Sequence, residues 1–246
     1  MKSQVNPFLR TALIVMSSVA AAGIVLAAER PTRPAADRAA KKPDPVLQQI
    51  QDDPKLPRVL LIGDSISMGY TLQVRELLKG EANVHRPPAN CGSTAVGLKE
   101  LDAWLGQDKW DVIHFNFGLH DLKYLDERGR YVGSDKGKQV SPLLVYEQNM
   151  RKLVERLKST GAKLIWCSTT PVPEGTQGRV AGDEAKYNQI AAKIMAENGV
   201  AIDDLYAVAS AKLAKIQLPK NVHFTKDGSQ YLAAAVAKSI ETALTK

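Results

Sequence analysis

The chain has 246 residues, 44% hydrophobic and 24% charged, with a formal net charge of +7 and two cysteines. That balance excludes a disulfide-built mini-domain and a wholly disordered chain, and it leaves room for one sizeable core rather than two. The positive excess lies largely before residue 57 and on helix faces such as Arg151-Lys152 and Lys212 with Lys215, where solvation accounts for it, and with no motif behind it nucleic acid is not an expected partner.

Lys2 and Arg10 precede an apolar run over 11–26, which ends in Ala27 and Ala28. A basic start, an apolar centre and a small-residue end describe a secretory signal peptide over 1–28. The run is short for a membrane span, so cleavage near Ala27 or Ala28 is expected, with an uncleaved anchor as the alternative and the only expected membrane contact. The protein is then exported, to the periplasm or the extracellular side. Its loss of Lys2 and Arg10, with no acid, leaves a formal +5. Residues 29–55 are rich in Pro, Ala, Lys, Arg and Asp and lack aromatics, so they bury too little to offset their ordering entropy and read as a disordered linker, with one helical turn near 46–51. The folded domain is expected over 56–246.

The domain opens with Val59-Leu60-Leu61-Ile62, a buried strand, broken by Gly63-Asp64-Ser65 ahead of an amphipathic helix carrying Leu72, Leu77 and Leu78. This arrangement sets Ser65 on the carboxyl edge of a sheet at a helix N-terminus, where developing negative charge is favoured. Ser65 is a candidate nucleophile; Asp64 or Ser65 could equally serve only as the helix cap. A short strand from Val84, interrupted by Pro87-Pro88, runs into Cys91-Gly92-Ser93-Thr94 and a helix with Val96, Leu98, Leu101, Trp104 and Leu105. The next strand, 111–117, leads to Gly118-Leu119-His120-Asp121. The polar stretch 121–141, with a hairpin near Glu127-Arg128-Gly129-Arg130, is long for a connection and reads as a lid or substrate loop.

A helix over 142–160 with Leu144, Leu153, Val154 and Leu157 on its buried side, a strand over 163–169 and a helix over 183–198 stopped by Gly199 follow. A strand at 200–203, one helix over 204–216, a loop with Asn221-Val222-His223-Phe224 and a helix over 227–244 complete the chain. Strands alternating with helices predict a three-layer doubly wound α/β fold, flavodoxin-like, with a five-stranded parallel sheet in the order 2-1-3-4-5. Ser65, Gly92 and His120 then converge at the carboxyl ends of the strands. Cys91 and Cys167 fall on distant strands and are expected as separate buried thiols without metal-ligand spacing; His85 and His114 read as structural.

Taken in order, Gly63-Asp64-Ser65-Ile66, Gly92-Ser93-Thr94, Gly118-Leu119-His120-Asp121 and His223 before the last helix resemble the blocks of the SGNH hydrolases, the GDSL-type esterases and lipases. The resemblance implies a serine ester hydrolase with no metal or cofactor. Ser65 would attack the ester carbonyl, the backbone N–H groups of Ser65 and Gly92 would face the oxyanion, and His223 would carry the proton. Two positions depart from the family pattern. His120 stands where an asparagine usually donates to the oxyanion. Lys220 stands three residues before His223, where the family usually has an aspartate, so Asn221, a carbonyl or a carboxylate such as Asp227 would have to orient the imidazole. The expected substrate is a small-molecule or glycan ester, with acetyl the expected acyl group. A carbohydrate-binding protein that kept the fold without catalysis is the alternative.

Overall fold

The apolar runs become the strands of one parallel sheet because their side chains are covered on both faces. The computed structural model describes residues 44–107 and 109–245; the expected signal peptide and residues 29–43 of the expected linker lie outside them. In chain order the elements are β1 (Arg58–Ile62), α1 (Ser65–Leu77), β2 (Asn83–His85), α2 (Thr94–Leu105), β3 (Val112–Phe115), β4 (Tyr124–Leu125), β5 (Lys138–Gln139) and α3 (Leu143–Lys158). Then come β6 (Lys163–Cys167), α4 (Asp183–Asn198), β7 (Ala201–Asp203), α5 (Leu205–Ser210), α6 (Leu213–Ile216) and α7 (Lys226–Thr245).

Five strands pair in the order β2-β1-β3-β6-β7, the doubly wound order expected. Every pairing is parallel, with Val59 beside Val84 and Val112, Ile113 beside Leu164, and Trp166 beside Ile202. Right-handed crossovers carry the chain from β1 outward to β2 and then back across to β3, so α1 and α2 cover opposite faces. α7 packs on α1, while α3 packs on both α2 and α4. The core is the contact between these layers, with Leu61, Ile113, Phe115, Leu153 and Val236 fully buried. Each such side chain contributes about 1.5–3 kcal/mol by leaving water.

Three expectations change. The linker does not extend to residue 55 as a disordered segment: residues 44–55 belong to the folded unit. Pro45–Leu47 form a single 3₁₀ turn that buries Val46, the Asp52 carboxylate meets His85 Nε2 at 2.6 Å, and Asn83 exchanges hydrogen bonds with the backbone of Asp53. A polar segment orders here because the strand end at Asn83 and His85 supplies polar partners, an interaction that composition does not register. The helix expected over 204–216 is two, because the chain turns at Ala211 and Lys212 to bring Ile216 against α7. Gly228 makes that approach possible, since a Cβ there would lie 2.3 Å from the Ile216 carbonyl oxygen. On α3 the buried stripe is Tyr146, Met150, Leu153, Val154 and Leu157, and Leu144 is 67% exposed.

The expected hairpin in 121–141 is present: β4 and β5 pair antiparallel, and the Gly129 N–H donates to the Asp126 carbonyl inside it. Cys91 and Cys167 are separate buried thiols. No helix among the described residues is long and apolar enough to cross a membrane.

Candidate active site

The turn between β1 and α1 divides two tasks between adjacent residues. Asp64 caps the helix, its Oδ1 accepting the Ile66 N–H at 2.9 Å, which leaves Ser65 at the first helical position. The Ser65 N–H has no acceptor among the described residues, as expected of the first donor of a helix. Its hydroxyl lies 2.8 Å from His223 Nε2. These two groups stand 158 residues apart in sequence and are joined only by the fold.

His223 is held by its own loop. Its carbonyl accepts the Leu218 N–H at 2.9 Å, and Gln217 Nε2 donates to the carbonyls of Pro171 and Val222. Val222, buried to 4% exposure, anchors the loop beside the imidazole. Lys220 adopts φ +54, a left-handed conformation costly for a side chain with a Cβ, and this bend directs Asn221 back onto the histidine. The Asn221 Oδ1 accepts the His223 backbone N–H at 3.0 Å and faces His223 Nδ1 at 2.7 Å. Of the candidates for orienting the imidazole, the structure brings Asn221 to it.

The second block is fastened from beneath. Arg86, 3% exposed, donates to the hydroxyls of Ser67 and Thr71 and to the carbonyls of Gly63 and Ala89, and the Cys91 N–H also donates to Gly63. The serine turn and the Ala89-to-Gly92 loop are therefore tied to each other through Arg86 and the Gly63 carbonyl. Burial pulls the Arg86 value down, offset in part by nearby Tyr70 and Asp64. Gly92 takes φ +65 and its N–H donates to Asn90 Oδ1 at 3.0 Å, so this expected oxyanion donor already has an acceptor.

Gly118 in the third block is required by packing, since a Cβ there would lie 2.0 Å from Thr169 Oγ1. His120 faces the same crevice as Ser65 and His223. Its Nδ1 lies 3.3 Å from the Lys123 ammonium, which can only donate. That contact assigns the hydrogen of the neutral ring to Nε2. Burial pushes the His120 value down, Lys123 and Arg179 add to this, and Asp64 opposes it. Burial and the neighbouring cations favour the neutral ring, which with its hydrogen on Nε2 can donate where an asparagine amide would.

The crevice has a volume of about 410 Å³ and is walled by Asn90, Leu119, Tyr131, Thr176, Arg179 and Lys220 around the serine and histidines. Tyr131 comes from the 121–141 segment, which therefore contributes to the site. Gly178 lets it pack there, a Cβ at that position lying 2.5 Å from the Tyr131 ring. Larger depressions of about 890 Å³ at the β4–β5 hairpin and about 840 Å³ beside β7 are lined by no histidine.

Among the described residues, one group of side chains elsewhere has metal-ligand chemistry: His114, Cys167 and Asp203, with ligand atoms within 4.8 Å of one another. His114 Nε2 and Asp203 Oδ2 already meet at 3.0 Å, and burial holds the Cys167 thiol well above its ordinary value, so the trio reads as a hydrogen-bonded part of the core. His85 is likewise structural, burial lowering its value against the pull of Asp52. Arg86, Asn90, Lys123 and Arg179 were not foreseen. A lone arginine directly after a buried strand was the one available signal, for Arg86.

Residues 61–231 match the family model of the GDSL-like Lipase/Acylhydrolase family. No curated protein matches the chain in sequence. Among solved structures, the acetyl xylan esterase AlAXEase is 16% identical with a TM-score of 0.59, covering 74% of this chain and 99% of its own. The lipase/acylhydrolase from Enterococcus faecalis is 19% identical with a TM-score of 0.61, covering 76% of this chain and 96% of its own. A variant of Axe2, an acetyl xylan esterase from Geobacillus stearothermophilus, is 20% identical with a TM-score of 0.63, covering 75% and 94%. At these identities the structures speak to the fold, while the family match spans most of the folded unit and takes in the serine turn and the crevice walls. The chain belongs to the GDSL-like lipase/acylhydrolase family, whose members are carboxylic ester hydrolases.

Proposed function

We propose that this esterase acts after export and removes small acyl groups, acetyl foremost, from carbohydrate by Ser-His nucleophilic catalysis. The observation that carries the reading is the 2.8 Å contact between Ser65 Oγ and His223 Nε2, with Asn221 holding the far side of the ring at 2.7 Å. His223 takes the serine proton as Ser65 attacks the carbonyl, then gives it to the leaving sugar hydroxyl; water repeats the sequence on the acyl-enzyme. Charge on the tetrahedral oxygen meets the Ser65 N–H and the His120 Nε2–H. Gly92 joins them when its N–H turns from Asn90 to the substrate.

The polar lining of the crevice supports a sugar ester over a long acyl chain, and the acetyl xylan esterases with the same fold make acetyl the first group to test. Export rests on the composition of residues 1–28. Hydrolysis of p-nitrophenyl acetate, measured beside Ser65→Ala and His223→Ala, is the deciding experiment. Loss of at least about 10³-fold in both variants is expected. Activity that survives both substitutions counts against the mechanism.

One observation favours a second reading. The group on His223 Nδ1 is a neutral amide, so the imidazolium formed in the reaction lacks the negative charge of a triad carboxylate and catalysis is slowed by the loss of that stabilisation. A protein slowed far enough would serve as a carbohydrate-binding module. Failure of an organophosphonate to label Ser65 in the folded protein would favour it.

A further inference from the structure

We propose that the crevice is built for a substrate bearing a carboxylate beside the scissile ester, an O-acylated uronic acid, with Arg179 and Lys220 receiving the carboxylate. This rests on the esterase reading and names its substrate class.

The argument begins with charge. Arg179 and Lys220 line the crevice, and Lys123 stands behind His120 at 3.3 Å. The one acid in the lining, Asp64, is 2% exposed and committed to capping α1. None of the three cations meets a carboxylate within ion-pair distance among the described residues, whereas Arg130, Arg151 and Arg156 elsewhere each do. Arg179 is oriented without being neutralised: its Nε donates to the Leu119 carbonyl at 2.9 Å, and its guanidinium carbon lies 5.5 Å from the centre of the Tyr131 ring. A partly desolvated guanidinium with no counter-charge is costly, and a bound anion offsets that cost.

Lys220 strengthens the case. It occupies the position where the family pattern has an aspartate, so the exchange that removes the acid beside His223 also places a cation at the crevice. Relative to an aspartate the local charge rises by two, and an anionic ester that an aspartate would repel is attracted. The planar fork of Arg179 matches a carboxylate, and the ammonium of Lys220 adds field and on-rate.

The test uses the full chain carrying Ser65→Ala, so that no ligand is turned over, and calorimetric titration at low salt with digalacturonate and with its dimethyl ester. The acid is expected to bind at least about tenfold more tightly than the neutral ester, with the preference shrinking in 0.5 M NaCl. Adding Arg179→Gln should weaken acid binding by about 10- to 100-fold. Lys220→Gln, on an exposed side chain, provides a variant that leaves the packing in place and should lower the same preference. Equal affinity for acid and ester, a preference that ignores salt, one that survives both substitutions, or no binding of either ligand overturns the proposal. Tighter binding of galactose 1-phosphate than of the uronate overturns the choice of carboxylate. Hydrolysis is read separately on the unsubstituted chain: no turnover of p-nitrophenyl acetate with the acid preference intact overturns the esterase reading and supports the anion site.

Discussion

The Asn221 oxygen faces two partners, and one of them settles what the other must be. A backbone N–H only donates, so the atom of Asn221 that meets the His223 N–H is the oxygen rather than the amide nitrogen. The same oxygen faces Nδ1, which must then carry a hydrogen, leaving the Nε2 lone pair toward the Ser65 hydroxyl. The amide thus supplies the orientation and tautomer a triad carboxylate supplies, without the negative charge that stabilises the imidazolium. Asn221→Asp adds that charge. It is expected to raise kcat on p-nitrophenyl acetate by at least about tenfold and to move the acid limb of the pH profile upward, because a nearby carboxylate favours the protonated ring. A variant with unchanged kcat and pH profile would mean that the missing charge does not limit this enzyme. His120 and Lys123 repeat the logic on the other ring of the crevice, where an obligate donor on Nδ1 places the hydrogen of the neutral imidazole on Nε2.

The elements carry the site on helix ends, and a buried carboxyl holds the start of α2. Asp121 accepts from both the N–H and the hydroxyl of Thr94, at 3.0 and 2.5 Å, joining the third block to the helix that follows the second. Burial pushes the Asp121 carboxyl up to about 6, with the hydrogen bonds from Thr94 opposing the shift. An acid whose folded value exceeds its unfolded value binds more protons in the folded state between roughly pH 4 and 6. Its contribution to stability therefore falls as pH rises through that window, by about 3 kcal/mol in all. Asp121→Asn keeps an acceptor for Thr94 and removes the titration. Urea unfolding at pH 4.5 and 7.0 should find the variant gaining on the wild type at the higher pH; parallel behaviour at both values would rule the linkage out. α3 illustrates a limit of pattern reading at this scale. Leu144 lies two positions before Tyr146, off the stripe that Tyr146 and Met150 set, and only the partners α2 and α4 decide which side of a nearly apolar first turn is covered.

At the scale of the molecule, the folded unit reaches further toward the N-terminus than composition indicated. Arg75 donates to the carbonyls of Pro45 and Gln48, and Arg58 pairs with Asp52 at 2.7 Å, so 44–57 is tied to α1, β1 and β2 together. A chain beginning at residue 57 is expected to lose at least about 2 kcal/mol relative to one beginning at residue 44, through Val46 and the buried polar contacts of Asn83 and His85. Chemical denaturation of the two chains checks this; equal midpoints would return the segment to the linker.

Strand order, the serine turn and the histidine loop were legible in sequence because each depends on local signals: apolar runs of strand length, Gly-Asp-Ser before a helix, and a histidine ahead of the final amphipathic segment. Ser65 and His120 fall on one crevice because parallel strands in doubly wound order deliver their carboxyl ends to one edge, and His223 joins them from the loop ahead of α7. The tertiary structure alone decided that Asn221 and not Asp227 orients the histidine, because a left-handed bend at Lys220 turns the amide inward. It alone placed Arg179 and Tyr131 in the crevice with Ser65, and Lys123 against His120. Those side chains arrive on two segments remote in sequence from Ser65, whose approach is fixed by packing and loop-to-loop hydrogen bonds, which no local pattern encodes.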